Sequence, residues 1–166
     1  MKKKIFITNG MARSGKDTFA KFMNEFVPTK KYSSIDVVKE YMCLLGIEGE
    51  KTEKYRKLLS DMKYALSNYD DIPFKSIQKE IDKFLNSDDQ VMLIDIREPK
   101  EIERVCKEFG AKSIFIVNNR VKNITSNSAD ANVYNYNYDY IIENNGTLDD
   151  FKNETKKFYV SNVMEG

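Results

Sequence analysis

The sequence contains no histidine and no tryptophan, and it has only two cysteines and three prolines among its 166 residues. Without imidazole, the chain excludes a serine-protease-like triad, which uses histidine as its base, and zinc sites that rely on histidine ligands. Cys43 and Cys106 lie far apart in the sequence and belong to no CxxC pair. We therefore expect reduced structural thiols, which are typical of cytoplasmic proteins.

Neither sign of charge is in excess, because 27 Lys and Arg face 26 Asp and Glu and give a net charge of +1. Proteins that bind nucleic acids or membrane surfaces usually carry a basic excess that neutralises phosphates, so we expect neither partner. No apolar run reaches the roughly 18 to 20 residues of a membrane span. The apolar run that follows Met1–Lys4 is too short for a signal peptide, and the expected location is the cytoplasm.

Four short apolar runs have the continuous hydrophobicity of strands that are buried on both faces of a parallel sheet. The runs are Ile5–Ile7, Val91–Ile94, Ile114–Val117 and Tyr140–Ile142, and Lys31–Ser33 is a weaker fifth candidate. Between them, apolar residues recur at helical spacing. This alternation predicts an α/β fold with a parallel sheet, and the length predicts a single domain over residues 1–166.

Two segments interrupt the alternation of strands and helices. Residues 34–85 contain three consecutive helical patterns without a convincing strand, which predicts a helical insertion on the α/β core. Residues 118–138 are polar, rich in asparagine and without a clear period, which predicts a long loop or lid.

The most specific motif is Gly10–Thr18, with the sequence GMARSGKDT, directly after the first predicted strand and before the first helix. It matches the GxxxxGK part of the P-loop pattern. The two glycines let the backbone curl around phosphate oxygens, while amides at the start of the helix bind these oxygens and Lys16 reaches the β- and γ-phosphates. The alternative interpretation is a tight turn between a strand and a helix that contains these residues by coincidence.

The position after Lys16 departs from the common P-loop pattern. Asp17 stands where Ser or Thr usually ligates magnesium, and the hydroxyl follows one residue later at Thr18. Small nucleotide kinases often carry a residue without a hydroxyl, followed by threonine, at this point. The motif is therefore more similar to the P-loop of a kinase than to that of a GTPase.

A second group of functional candidates, Asp95-Ile96-Arg97-Glu98, follows the buried run that ends at Ile94. Ligands bind beyond the carboxyl ends of parallel strands, so Asp95 and Arg97 should face the same crevice as the P-loop. A carboxylate at this place suits magnesium or its waters, and a guanidinium suits a phosphate. The alternatives are an aspartate that caps the turn before Pro99 and an arginine that is simply solvated.

Together with the late segment Tyr138–Gly146, these two motifs resemble the phage-type deoxynucleoside monophosphate kinases and the animal-type phosphomevalonate kinases. Both groups have the P-loop nucleoside monophosphate kinase fold. The resemblance implies three layers with a five-stranded parallel sheet, an acceptor-binding insertion at residues 34–85 and a short lid at residues 118–138. It also implies ATP as the phosphoryl donor and Mg²⁺ as the cofactor.

The motifs and the resemblance together predict roles for individual residues. The predicted ATP-binding residues are Gly10, Arg13, Ser14, Gly15, Lys16, Asp17, Thr18, Asn144, Asn145 and Gly146. The predicted metal ligands are Asp95, Thr18 and Asp17, the predicted acceptor-binding residues are Arg56, Lys63 and Arg97, and the predicted catalytic residues are Lys16, Arg97 and Arg120. Solvated charge is the alternative for the residues of the insertion, and plain turn chemistry is the alternative for the Asn-Gly pair.

The lid is the segment in which this sequence departs most from the family. Lids of phosphoryl-transfer enzymes commonly supply arginines that stabilise charge on the transferring group. Between residues 118 and 138 the available cations are Arg120 and Lys122, and Asp130 is a further candidate for closure. Arg13 and Arg97 would have to complement the single lid arginine.

The leading hypothesis is an ATP-dependent kinase that converts a (deoxy)nucleoside monophosphate to the diphosphate. Phosphomevalonate is the nearest alternative acceptor. A regulatory module that binds ATP without transferring phosphate is a second alternative, which the arginine-poor lid leaves open. A third is an α/β domain that binds a phosphorylated metabolite other than ATP.

Overall fold

A computed structural model describes residues 2–47, 52–121 and 133–165 of the chain. The elements in chain order are β1 (Lys4–Asn9), α1 (Lys16–Phe26), β2 (Thr29–Ser33), α2 (Asp36–Leu44), α3 (Glu53–Asp70), α4 (Ile72–Leu85), β3 (Val91–Asp95), α5 (Pro99–Phe109), β4 (Lys112–Val117), β5 (Tyr140–Glu143) and α6 (Leu148–Tyr159), with a π-helical turn at Val160–Met164. All five predicted strands are present, including the weaker candidate, which lies within β2.

The five strands form one parallel sheet in the order β2-β3-β1-β4-β5. The chain passes to opposite sides of β1 in its two halves, so the loop after β1 lies at the switch point where α/β sheets bind ligands. Asp95 at the end of β3 is in register with Thr8 of β1 and with Ser33 of β2. The carboxyl ends of three strands therefore meet around Asp95.

Each face of the sheet carries a separate layer of helices. On one face, Phe6 and Leu93 pack with Phe19 of α1 and with Phe151 and Phe158 of α6. On the other face, the core consists of side chains from the sheet and from helices α4 and α5, among them Ile7, Met92, Ile94, Phe74, Ile77, Ile81, Phe84, Ile102 and Val105. The neighbouring strand residues Phe6 and Ile7 thus serve opposite layers, and the three-layer α/β prediction is confirmed.

The predicted insertion, residues 34–85, has two parts that pack differently. Helix α4 belongs to the layer on the sheet, as its buried side chains show. Helices α2 and α3 form a cluster of their own around Val38, Met42 and Leu59. No helix among the described residues is long and apolar enough to span a membrane.

Asp139 ties the start of β5 to β4, and it gives the first testable prediction. Its Oδ2 accepts hydrogen bonds from the amide and the hydroxyl of Ser113 at 2.8 and 2.9 Å, and Oδ1 pairs with Lys112 Nζ at 3.0 Å. Partial burial by itself would raise the pKa of Asp139, but these hydrogen bonds and the Lys112 charge lower it below its ordinary value. The stabilisation is therefore present at neutral pH and is lost as the pH falls through the folded-state pKa.

We expect Asp139→Ala to reduce the free energy of unfolding at pH 7 by about 1–3 kcal/mol. The difference from wild type should begin to shrink below about pH 4, where Asp139 becomes protonated in the unfolded chain, and it should be lost below the lower folded-state pKa. Urea unfolding at several pH values measures both effects. Asp82→Ala, at an exposed position of α4, is the matched control, and an Asp139→Ala deficit that is independent of pH would contradict the prediction.

Candidate active site

The P-loop, Gly10 to Lys16, joins β1 to α1 and depends on two glycines. Gly10 has φ +151° and Gly15 has φ +112°, both in the region that favours glycine. A Cβ on Gly10 would lie 2.5 Å from the carbonyl oxygen of Ile116, and a Cβ on Gly15 would lie 2.5 Å from Asn144 Nδ2. The loop can therefore approach β4 and the segment after β5 only with glycine at both positions.

Lys16 is folded over this loop at the start of α1. Its Nζ donates hydrogen bonds to the carbonyl oxygens of Gly10 at 2.8 Å and Met11 at 3.0 Å. Burial, and then the neighbouring Arg97 guanidinium, lower the pKa of Lys16 from 10.5 to about 8. The first amides of a helix have no partners within the helix, so the start of α1 and the Lys16 ammonium together suit an anion such as a phosphate.

Asn144 supports the P-loop from behind. Its side-chain Nδ2 donates to the carbonyl oxygen of Ser14 at 2.9 Å, and its backbone N–H donates to the carbonyl oxygen of Val117 at 2.7 Å. Asn145 Oδ1 accepts from the amide of Asn119 at 2.8 Å. The side chain of Asn144 therefore shapes the loop, and a direct contact of residues 144–146 with ATP stays a prediction. Ser14 Oγ is buried and has no hydrogen-bond partner among the described residues.

A cavity of about 590 Å³ opens above the carboxyl ends of β1, β2 and β3, which is the size of a small-ligand site. Its lining includes Arg13, Lys16 and Asp17 from the P-loop side, Lys31, Asp95 and Arg97 from the strand ends, and Asp36, Lys39, Tyr55, Arg56 and Lys63 from α2 and α3. Both predicted motifs and the α2–α3 part of the predicted insertion therefore face one space.

Asp95 and Asp17 share one cation, the ammonium of Lys31. Asp95 Oδ1 accepts a hydrogen bond from the Thr8 hydroxyl, and Asp95 Oδ2 lies 3.0 Å from Lys31 Nζ. Lys31 also pairs with Asp17. Burial by itself would lower the pKa of Lys31, but the two carboxylates raise it above its ordinary value. Lys31 is therefore held as an ammonium between two of the predicted metal ligands.

This arrangement fits a magnesium ion. Mg²⁺ prefers oxygen ligands and usually takes one or two carboxylates together with substrate phosphates and water. The Asp17 and Asp95 carboxylates already surround a positive charge, which is the requirement for a cation site. Thr18 is not among the described residues that line the cavity, whereas Asp17 is. Within the described ranges no three His, Cys, Asp or Glu side chains form a metal cluster, so oxygens from the substrate would complete the coordination.

Lys63 of α3 lies in a partly buried ion-pair cluster at the start of α5. Its Nζ is 2.9 Å from Glu98 Oε2, 2.6 Å from Glu101 Oε2 and 2.8 Å from Ser34 Oγ, and its side chain is 11% exposed. The predicted contact of Lys63 with an acceptor would require it to leave both carboxylates. Arg56 lines the same cavity, and no described residue forms an ion pair with it.

The two predicted catalytic arginines lie in different surroundings. Arg97 lines the cavity, close enough to Lys16 to lower the pKa of that lysine. Arg120 is not among the cavity-lining residues in the described part of the chain, and it donates to the carbonyl oxygen of Asn144 at 3.1 Å and to Asn118 Oδ1 at 3.3 Å. The catalytic role of Arg120 stays a prediction. Lys122 and Asp130 of the predicted lid lie outside the described residues.

Lys31 and the two glutamates that hold Lys63 had no predicted role in the site. No local sequence pattern predicts that Lys31 lies beside Asp95, because this position depends on the pairing of β2 with β3. Glu98 directly follows Arg97 in the second motif, and Glu101 lies one turn further along α5. A lysine placed against the start of α5 would indicate that these glutamates form ion pairs. The position of Lys63 at that point is known only from the fold.

The parallel sheet, the P-loop at its switch point and the charged cavity define a P-loop kinase. A sequence profile of the deoxynucleotide monophosphate kinase family matches residues 72–155, half of the chain, and the chain belongs to this family. It is a kinase of phosphorylated small molecules. The matched region begins at α4 and contains Asp95, Arg97 and the segment Asn144–Gly146. No curated protein sequence matches the chain.

Solved structures with the same fold cover nearly the whole chain. The dephospho-CoA kinase from Campylobacter jejuni has a TM-score of 0.61 and 16% identity, with 99% of both chains covered. TT1252 from Thermus thermophilus has a TM-score of 0.54 and 14% identity, with 98% of this chain and 99% of that chain covered. The shikimate kinase from Aquifex aeolicus has a TM-score of 0.50 and 15% identity, with the same coverage. At these identities the likeness establishes the fold.

Proposed function

We propose that this kinase transfers the γ-phosphoryl group of ATP to the phosphate of a (deoxy)nucleoside monophosphate and produces the diphosphate and ADP. The observation that carries the proposal is the single cavity into which the P-loop, the Asp95–Arg97 segment and helices α2 and α3 all project. The family description, deoxynucleotide monophosphate kinase, supports a nucleotide as the acceptor.

The donor side of the proposed site consists of the P-loop and the strand ends. Lys16 and the first amides of α1 bind the β- and γ-phosphates of ATP. Asp95 and Asp17 would hold Mg²⁺, with Thr18 as a further predicted ligand, and the ion would neutralise charge on the donor phosphates. Asn144 keeps the loop in shape through its hydrogen bond to Ser14.

The acceptor side consists of Arg56 from α3 and Arg97 after β3. A guanidinium can bind two phosphate oxygens at once, so these side chains can orient the acceptor phosphate toward the donor. An acceptor oxygen forms a bond to the γ-phosphorus while the bond from that phosphorus to the β,γ-bridging oxygen breaks, and ADP leaves with the bridging oxygen. A phosphate monoester is already largely ionised at neutral pH, so no side chain has to remove a proton.

Lys63 acts in this proposal as a positioning residue. Its ion pairs with Glu98 and Glu101 connect α3, which carries Arg56, to the residues directly after Arg97. The two arginines on the acceptor side are therefore held in a fixed relation. Helix α2, which also lines the cavity, would complete the acceptor pocket, and the lid predicted at residues 118–138 would close it.

An ADP-release assay with ATP and Mg²⁺, run across the ribo- and deoxynucleoside monophosphates and phosphomevalonate, tests the proposal. We expect ADP formation that depends on a nucleoside monophosphate. Arg56→Met should raise the KM for this acceptor about 10- to 100-fold, because a charged hydrogen bond to the phosphate is lost. Stimulation by phosphomevalonate alone, or by no acceptor, would contradict the nucleotide assignment.

Lys57→Met is the matched control for Arg56→Met. Lys57 lies on the same helix, is largely exposed and pairs with Asp61 one turn away. Its loss should leave the KM for the acceptor unchanged. An equal rise of the KM in both variants would show a general effect of charge on α3 and would remove the specific role of Arg56.

A further inference from the structure

The ion-pair group of Lys31, Asp17 and Asp95 joins three elements at the wall of the cavity. Lys31 comes from the edge strand β2, Asp17 from the first turn of α1 and Asp95 from the end of β3. The Asp17 side chain is 88% exposed, whereas those of Lys31 and Asp95 are 31% and 16% exposed. A solvent-facing carboxylate and a buried one therefore converge on a single ammonium at the cavity wall.

An ammonium and a magnesium ion compete for the same carboxylate oxygens. Asp95 Oδ1 is already engaged with the Thr8 hydroxyl, and Asp95 Oδ2 faces Lys31. Lys31 and Asp95 both line the cavity, so a metal that binds Asp95 Oδ2 from the cavity competes with the Lys31 ammonium for that oxygen. Because Lys31 is tethered to the adjacent strand, its effective concentration at the carboxylates is high without any loss of translational freedom.

We infer that Lys31 is a tethered counter-ion of the metal site: it occupies the Asp17–Asp95 pair before Mg²⁺ binds and has to withdraw from the pair when the metal arrives. The inference rests on the proposed magnesium site. It explains how two carboxylates can be kept close together without a metal, since like charges at this distance repel. The consequence is that free Mg²⁺ binds poorly to the nucleotide-free enzyme, and that the ion enters together with ATP, whose phosphates supply further ligands.

Calorimetric titration of the nucleotide-free enzyme with MgCl₂ tests this inference without any measurement of activity. Wild type should bind Mg²⁺ weakly. Lys31→Met should bind it roughly tenfold more tightly or better, because the competing positive charge beside the two carboxylates has been removed. Lys31→Gln should show the same gain while it retains hydrogen-bonding groups for the carboxylates, and it serves if the methionine variant does not fold. Lys31→Arg should remain as weak as wild type.

Lys30→Met is the matched control, because Lys30 lies on the same strand and pairs with Glu80 at 2.8 Å. Its affinity for Mg²⁺ should equal that of wild type. Asp95→Asn combined with Lys31→Met should lose the gained affinity. Equal Mg²⁺ affinity in wild type, Lys31→Met and Lys31→Gln would overturn the inference. Equal affinities would overturn only the role of Lys31, because acceptor-dependent ADP release would still be observed. If the proposed function is wrong, the ADP assay itself shows no release that depends on a nucleoside monophosphate.

Discussion

Lys16→Met is expected to lower the rate of acceptor-dependent ADP formation by about two to three orders of magnitude. Lys16 is placed by the P-loop carbonyls of Gly10 and Met11 at the start of α1. There its ammonium and the first amides of the helix can bind the same phosphate group. In the transition state, negative charge is spread over the equatorial oxygens of the transferring group and develops on the leaving β,γ-bridging oxygen. Methionine keeps the length and the apolar stem of the side chain but removes the charge.

Steady-state ADP release at saturating ATP, together with a binding titration of ATP, measures this effect. Because Lys16 also bonds to the loop in the absence of a nucleotide, circular dichroism and thermal unfolding must show that the variant is folded. Lys21→Met, on the exposed side of the same helix, should leave turnover unchanged. Full turnover by a folded Lys16→Met enzyme would remove the P-loop assignment and the proposed reaction with it.

Lys63→Met is expected to reduce the free energy of unfolding by about 3 kcal/mol. Removal of the ammonium leaves Glu98 and Glu101 facing each other without a counter-charge, and Glu101 is only 15% exposed. Glu98 is 45% exposed and recovers part of its hydration, so the expected loss lies at the lower end of the range for a broken buried ion pair. Urea unfolding at pH 7 measures it.

The pH dependence of this loss identifies its cause. Burial raises the pKa of Glu101, with Lys63 opposing and Glu98 adding to the rise. Without Lys63 the pKa rises further above its value in the unfolded chain. A carboxyl with a raised folded-state pKa destabilises the fold as the pH rises, so the deficit of Lys63→Met should diminish toward acidic pH.

Controls separate this positioning role from direct binding of an acceptor. Lys57→Met removes an exposed ion pair on the same helix and should change stability by less than about 0.5 kcal/mol. When Glu98→Gln and Glu101→Gln are added to Lys63→Met, much of the lost free energy of unfolding should be restored. If Lys63→Met is as stable as Lys57→Met while the KM for the acceptor rises, Lys63 binds the acceptor and does not position α3.

Much of the fold follows from local patterns. The apolar runs at Val91–Ile94 and Ile114–Val117 are β3 and β4, because strands buried on both faces need continuous hydrophobicity. The P-loop glycines were recognisable because their spacing is tied to a backbone shape that other residues adopt only with strain. Asp95 and Arg97 could be assigned to the same crevice as Lys16, since the carboxyl ends of parallel strands meet at one edge.

The roles of several charged and amide side chains could not be predicted in the same way. Asn144 was expected beside ATP, yet its amide group donates to Ser14, 130 residues away in the sequence. Lys63 lines the cavity and pairs with Glu101, 38 residues away; the ion pair was not predicted, and the contact of Lys63 with an acceptor stays a prediction. Long polar side chains reach several partners from one backbone position, and the partner depends on which elements are neighbours.

The sequence by itself therefore determined the α/β class, the P-loop and the edge of the sheet that carries the proposed site, because each is encoded in short-range patterns of apolar residues and glycines. The tertiary structure alone decided that β2 lies beside β3 and that Lys63 of α3 reaches Glu101 of α5. Those neighbours place Lys31 between the predicted metal ligands and Lys63 between two glutamates. The physical reason is that an ion pair depends on distance in space, and strand order and helix packing set that distance after the local elements have formed.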